Sequence, residues 1–461
     1  MSPSSRRENP SFRPGLSFVL LTMFLATLWF AGGASRADTL GQVVVRTAAW
    51  LILMILALAG KRPLLSGVRP VALLLAASLA LVLFQLVPLP SELWQALPGR
   101  RLLMSAVIGE QPWRPWTMVP GATLNAASSL VVPLTTLLLL AGVSRRDHNW
   151  LLTVLLFITT ASMLLGLLQF SGARFLNPLL NATLGQVSGS FANRNHFALF
   201  LAIGCLLTPV WIFERANGRR WRASVGFVLV LLFVLTILAT GSRAGLLIGV
   251  IALAGGIAFS WHPLRQELRH APGWVLPALF AAIATIVITL VIVSVAADRA
   301  SSIQRAVIGD ENEDMRTRGL PTVLAMIAIY FPAGSGFGGF DPLFRIHEPF
   351  TLLKPTYFNH AHNDFLEIAL DGGLPAVLLL LVALGWWLLA SVRAWRAPWN
   401  EQHLLARLGS AILLLIFIAS AFDYPGRTPI MMAIIVIAAT WLAQAGKVSP
   451  RFALPARKQH L

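Results

Sequence analysis

The chain has 461 residues, of which 56% are hydrophobic and 12% charged, and its mean hydropathy is +0.72. A soluble domain carries about twice that share of charge, so a soluble globular enzyme and a disordered chain are both excluded and a polytopic membrane protein remains. The net charge of +17 does not point to nucleic acid, because the Lys and Arg residues stand in short clusters between long apolar runs, as the positive-inside rule produces.

A bilayer is crossed by about 20 apolar residues in a helix. Hydropathy places twelve such runs, at 16–34, 40–60, 70–90, 121–143, 149–170, 195–214, 222–241, 244–260, 273–296, 374–393, 404–422 and 429–446. The first reads as a membrane helix rather than a cleaved signal, because its apolar core is too long for one. The seventh and eighth are divided only by a hinge at Gly241, Ser242 and Arg243. Alternate loops hold 21 basic residues on one side and 8 in the short loops of the other, which predicts that both termini face the cytoplasm. The expected fold is therefore an all-α polytopic membrane protein with about 12 transmembrane helices. It divides into a bundle of about nine helices over 1–296, a large outer loop over 297–373, and the last helices with a cytoplasmic tail over 374–461.

Few polar groups interrupt this pattern. Arg46 lies inside the second span, where a charge is either functional or snorkels to the nearby surface. The outer loop 91–120 carries Trp94, Trp113 and Trp116, which read as an interfacial aromatic belt. Cys205, flanked by apolar residues, reads as a small buried hydrophobe. Ten of the 19 acidic residues fall in 297–373, too polar to span and too long for a mere connection.

Five stretches could carry chemistry. Gly189-Ser-Phe-Ala-Asn-Arg-Asn-His196 is an amide-rich start to the sixth span; Arg194 and Asn195 could meet a sugar, or Asn193 or Asn195 simply caps the helix. In the hinge, Arg243 stands among small residues that would let a bulky phosphate approach its guanidinium, or it snorkels. Arg316 and Arg318 could supply two more cations, or pair with the acidic run at 310–314. Gly334-Ser-Gly-Phe-Gly-Gly-Phe340 lacks a βαβ context and reads as a tight turn that folds the loop back on the membrane face.

The fifth stretch is Tyr357-Phe-Asn-His-Ala-His-Asn-Asp-Phe-Leu-Glu367. Asn363 or Asp364 can cap a helix, with Glu367 placed as in a capping box, and Gly372 and Gly373 then end that short helix. A helix N-terminus disfavours an imidazolium, so His362 would be neutral and able to take a proton from a hydroxyl, or it is only a capping residue in a turn. His360 and His362 share one side of an extended segment, which also permits a metal site completed by Asp364, Glu367 or His347.

These stretches in this order resemble the O-antigen ligase and polymerase-like family of bacterial inner-membrane proteins, over roughly 120–445 and most specifically at 189–374. The resemblance implies a GT-C-type helical bundle with one large periplasmic loop. It implies an inverting, metal-independent glycosyltransferase that needs no cofactor and moves a glycan from undecaprenyl diphosphate to a sugar hydroxyl of an acceptor glycolipid, lipid A–core. By its motifs His362 matches the family's histidine, Arg243 its hinge arginine and Arg316 its loop arginine, with Arg318 as the fallback; Arg194, Asn195, His360 and Asn363 are further substrate-binding candidates. The implied site is periplasmic, on a multi-pass protein of the bacterial inner membrane that contacts the lipid bilayer and no nucleic acid. A polysaccharide polymerase would use the same donor. A transporter or flippase would put its polar groups at the midplane, and a metal-dependent hydrolase would use His360 with His362.

Overall fold

The computed structural model describes residues 14–60, 63–101, 113–173, 177–183, 185–213, 219–267, 274, 281, 292, 311–353, 358–398 and 401–444. Among the described residues eight helices are long and apolar enough to cross a membrane. They are α2 (Leu40–Ala59), the consecutive α5 (Pro120–Ser129) and α6 (Val131–Gly142), α7 (Arg145–Phe170), α8 (Arg194–Phe213), α9 (Arg219–Ala239), α10 (Arg243–Glu267), α13 (Asp364–Arg396) and α14 (Glu401–Ser420). Three shorter apolar helices, α1 (Leu16–Ala31), α3 (Arg69–Phe84) and α15 (Pro429–Ala443), fall on further expected spans. The expected span at 273–296 lies outside the described residues but for isolated positions.

At the centre is α8, buried along most of its length. Without a hydrophobic drive between helices in lipid, small residues set how closely they pack. The glycines of α10 supply that seam. A Cβ on Gly245 would stand 2.4 Å from Ala198 Cβ, and one on Gly256 would stand 3.1 Å from the Cys205 carbonyl. The seam lays α10 directly on α8, so the hinge at 241–243 comes to rest beside the start of α8. Cys205 is buried in this core, as expected.

The loops that the charge pattern assigns to the outer side meet at one end of the bundle. Ile430 N donates to the Gly32 carbonyl (3.2 Å), Ala192 N to Gly33 (3.0 Å), and Gly41 N to Leu179 (3.2 Å). At the other end His148 meets Gln444 (3.3 Å), and Arg407 donates to the Ala394 and Ala397 carbonyls.

Within 297–373 the described residues are helical for much of their length rather than one polar loop. From residue 311 on it holds α11 (Glu311–Tyr330), α12 (Phe340–His347) and the first turns of α13. The glycine run turns as expected: Gly334, Gly336 and Gly338 all have positive φ. That turn docks on the break in α13, where Leu374 N donates to the Pro332 carbonyl (2.8 Å) and Gly336 N to that of Asp371 (2.8 Å). The break is at Gly373 (φ 58°, ψ −150°), so a short helix ends there and the membrane-spanning part of α13 follows.

The tryptophans of the 91–120 loop are not a belt. Strands β1 (Pro88–Pro90) and β2 (Trp113–Pro115) pair antiparallel, with α4 (Ser91–Ala96) between them. Trp94 is buried and donates to the Pro115 carbonyl (2.9 Å), and Trp116 donates to that of Ala333 (3.1 Å); only Trp113 is exposed. Arg100, wholly buried, donates to the carbonyls of Trp116 (2.8 Å) and Gly334 (2.9 Å). Both loops need these indoles and this guanidinium to satisfy backbone acceptors away from water.

Candidate active site

The start of α8 is built from side-chain amides. Asn193 Oδ1 accepts from Asn195 N (2.8 Å), as a capping residue does, and Phe197 N returns to the Asn193 carbonyl (3.1 Å). Both amides then donate to one carboxylate oxygen, Asp423 Oδ2, from Asn193 at 2.9 Å and from Asn195 at 2.6 Å. Asn195 Oδ1 accepts from Ser242 Oγ (2.7 Å), which itself accepts from Gly245 N (2.9 Å) and caps α10. Gly241, at φ 63°, makes the turn, and the Arg194 guanidinium lies beside it, 3.7 Å from where a Cβ would be. Arg243, exposed, opens α10. Arg194, Asn195 and Arg243 are therefore gathered at one hinge.

Asp423 sits in the turn between α14 and α15 and is buried. Its other oxygen, Oδ1, takes His362 Nδ1 at 3.2 Å and the Tyr424 backbone N–H at 3.0 Å, with His196 Nε2 at 3.7 Å. Arg316 reaches Oδ2 at 3.4 Å. Burial opposes a charge here, yet His196 and His362 outweigh it and hold the Asp423 carboxyl well below its ordinary range. The group is an anion, and it joins five side chains from three separated stretches of chain.

His362 itself has φ 51°, a left-handed conformation uncommon outside glycine. Its ring is 15% exposed and lies between Phe358 (centroids 5.1 Å) and Tyr424 (4.9 Å). Burial lowers its pKa; Asp423 pulls the other way and loses. The imidazole is neutral at pH 7, with Nδ1–H directed at Asp423, and so Nε2 carries the lone pair.

A second buried cluster stands behind the first. Arg427 pairs with Glu367 (3.1 Å), Asp364 (3.3 Å) and Asp371 (4.0 Å), which lie on one face of the short helix. Burial works against its charge, but these three carboxylates overcome that and raise its pKa. Glu367 is not a capping-box residue. Its carboxylate accepts from Ala361 N (2.8 Å) and His360 Nδ1 (2.9 Å), so it holds the turn that presents His362. The cap is Asn363, whose Oδ1 accepts from Leu366 N (3.1 Å) while its Nδ2 donates to the Ala421 carbonyl (3.0 Å).

The structure thus brings His362, Arg316 and Asn195 together on Asp423, with Arg194 and Arg243 at the adjoining hinge. Arg318 points elsewhere, to the Thr351 carbonyl at 3.0 Å. Two residues on a helix are about 200° apart, so only one of the two arginines can face Asp423. His360 and Asn363 are engaged in holding the turn. The two histidines of the metal reading meet different carboxylates, and His347 bonds Tyr330 OH (2.8 Å). Asp423, Tyr424, His196 and Arg427 were not singled out from sequence. The available signal was an Asp and an Arg four apart in an eight-residue turn between two spans, around Pro425-Gly426.

Residues 227–381, about a third of the chain, match the family described as Wzy_C, O-antigen ligase. No curated protein matches the chain. The matched stretch takes in the Arg243 hinge, α11 with Arg316, and His362, and stops short of Asp423. The match makes this stretch similar to an O-antigen ligase domain, which supports a family of lipid-linked glycan transferases of the ligase or polymerase type.

Proposed function

We propose, from this O-antigen ligase-like stretch and the site that its His362 and Arg316 form with Asp423, that the protein transfers a glycan from undecaprenyl diphosphate to a sugar hydroxyl of lipid A–core, with inversion. The observation that carries the reading is the Asp423–His362 contact beside Arg316, which leaves one basic nitrogen next to a guanidinium at the end of a membrane bundle. His362 Nε2 takes the proton of the acceptor hydroxyl as its oxygen attacks the anomeric carbon. The bond from that carbon to the diphosphate breaks on the opposite face, and undecaprenyl diphosphate leaves with the bonding pair. Arg316 and Arg243 supply cations for the charge that builds on it, the part a metal plays in other transferases. Asp423 keeps His362 in its tautomer and steadies the imidazolium once formed.

The side of the membrane follows from the basic loops. Both termini belong in the cytoplasm and the site on the periplasmic face of the inner membrane, where a lipid-linked donor needs no nucleotide. The test is transfer of labelled glycan from its lipid-linked donor to lipid A–core by the purified chain in liposomes. Activity that persists in chelator and is lost in His362→Ala supports the reading. Full activity in a normally inserted His362→Ala protein overturns it.

A further inference from the structure

From Gly319 to its end, helix α11 is apolar on both sides. One side, with Val323, Met326 and Tyr330, packs on Phe340, Phe344 and Leu370. The other side is open: Leu320 is 42% exposed, Leu324 49% and Phe331, just past the helix, 41%. Ala325 and Ala328 on that side are also exposed. No charged residue occurs from Gly319 to Phe340. A helix at a water surface keeps one polar face, whereas one that is apolar all round is covered by protein or lipid. The apolar part is too short to cross a bilayer, which takes about 20 residues.

The apolar part of α11 is fastened on either side at the level where the spans end. Arg316 reaches Asp423, three residues beyond the last residue of α14. At the far end the Pro332 carbonyl takes the N–H of Leu374, the first residue of the spanning part of α13. The intervening 15 residues cover about 22 Å at 1.5 Å each. The open side then continues into Leu374, Leu378 and Leu381, the exposed apolar flank of that span.

We propose that α11 lies in the membrane interface, with Leu320, Leu324, Ala328 and Phe331 bedded in the acyl region of the leaflet on the Asp423 side. Its partner is the bilayer, and the proposal does not depend on the transfer chemistry. An apolar face of this kind sits a few ångströms into the headgroup–acyl boundary.

The test is nitroxide accessibility in the full chain, reconstituted in phosphatidylethanolamine–phosphatidylglycerol liposomes. Cys205 is 1% exposed and stays unlabelled. Labels are placed one at a time by Leu324→Cys, Phe331→Cys and the milder Ala328→Cys. Leu378→Cys is the lipid reference and Asp341→Cys the water reference. The expected result is oxygen accessibility well above that of a water-soluble nickel chelate, in the sense of Leu378→Cys and opposite to Asp341→Cys. A ratio like that of Asp341→Cys overturns the proposal. So does protection from both reagents, which would mean that protein, for instance a second copy, covers the face.

Discussion

In the proposed transfer the Nδ1–Asp423 contact decides which nitrogen of His362 acts as the base, and a single-atom change at 423 separates its two effects. Asp423 stabilises the imidazolium and so draws the His362 pKa up, against burial, which lowers it by more. In Asp423→Asn that upward pull disappears. The acidic limb of the kcat/KM profile is therefore expected to move to lower pH, not higher. An amide can also donate to Nδ1 and turn the imidazole into the wrong tautomer, so the plateau is expected to fall by about 10²–10⁴-fold. Transfer rates between pH 4 and 8 check both. His362→Ala loses the base outright and should cost a similar factor with no acidic limb left to move. Arg316→Met has a different signature. It removes a cation and not a proton acceptor, so rate falls while the limb keeps its shape. His362 was legible in the sequence because a histidine just before a capped helix has a local pattern. Asp423 was not, because its partner is 61 residues away and nothing local marks a lone carboxylate in a turn.

At the scale of elements, the short helix that follows His362 is held from both ends. At its C-terminal end, Gly373 takes φ 58°, and a Cβ there would stand 2.2 Å from the Pro332 carbonyl. Gly373→Ala must strain the backbone and push away the glycine turn; about 1–3 kcal/mol of stability should be lost, read as a lower melting temperature in detergent. This break was legible because two glycines precede a proline. At its N-terminal end the clamp is Arg427. Arg427→Met would leave Asp364, Glu367 and Asp371 buried without their cation, a loss on the order of 3–5 kcal/mol. The double variant Arg427→Met with Glu367→Gln should recover part of that, since it removes one stranded charge; thermal unfolding of the pair distinguishes this from a general loss of packing. The clamp was illegible beforehand for the same reason as Asp423: Arg427 read as one more basic residue of a short loop until α14 and α15 brought it under the helix. The tryptophans at 94 and 116 misled in the opposite direction. Aromatics near a membrane end suggest a belt, but here their N–H groups were needed by the carbonyls of Pro115 and Ala333.

Across the whole molecule the arrangement of polarity separates function classes. A transporter keeps its polar groups at the midplane on broken helices. Here Asp423, His362, Arg316 and the hinge arginines collect at one end, where loops from both halves of the chain meet. On the proposed reading a ligase and a polymerase would use the same donor and differ in the second substrate, so the distinction belongs to what accumulates when the protein is absent. Loss of a ligase strands finished polymer on its lipid carrier and leaves lipid A–core bare. Loss of a polymerase strands single repeats on the carrier instead. We expect the first pattern: in a deletion strain, lipid A–core without polymer on a glycolipid gel, and long lipid-linked polymer in the extract. Complementation by the native chain should restore the ladder. His362→Ala, present at native level, should not, which ties the phenotype to the site rather than to a missing membrane protein.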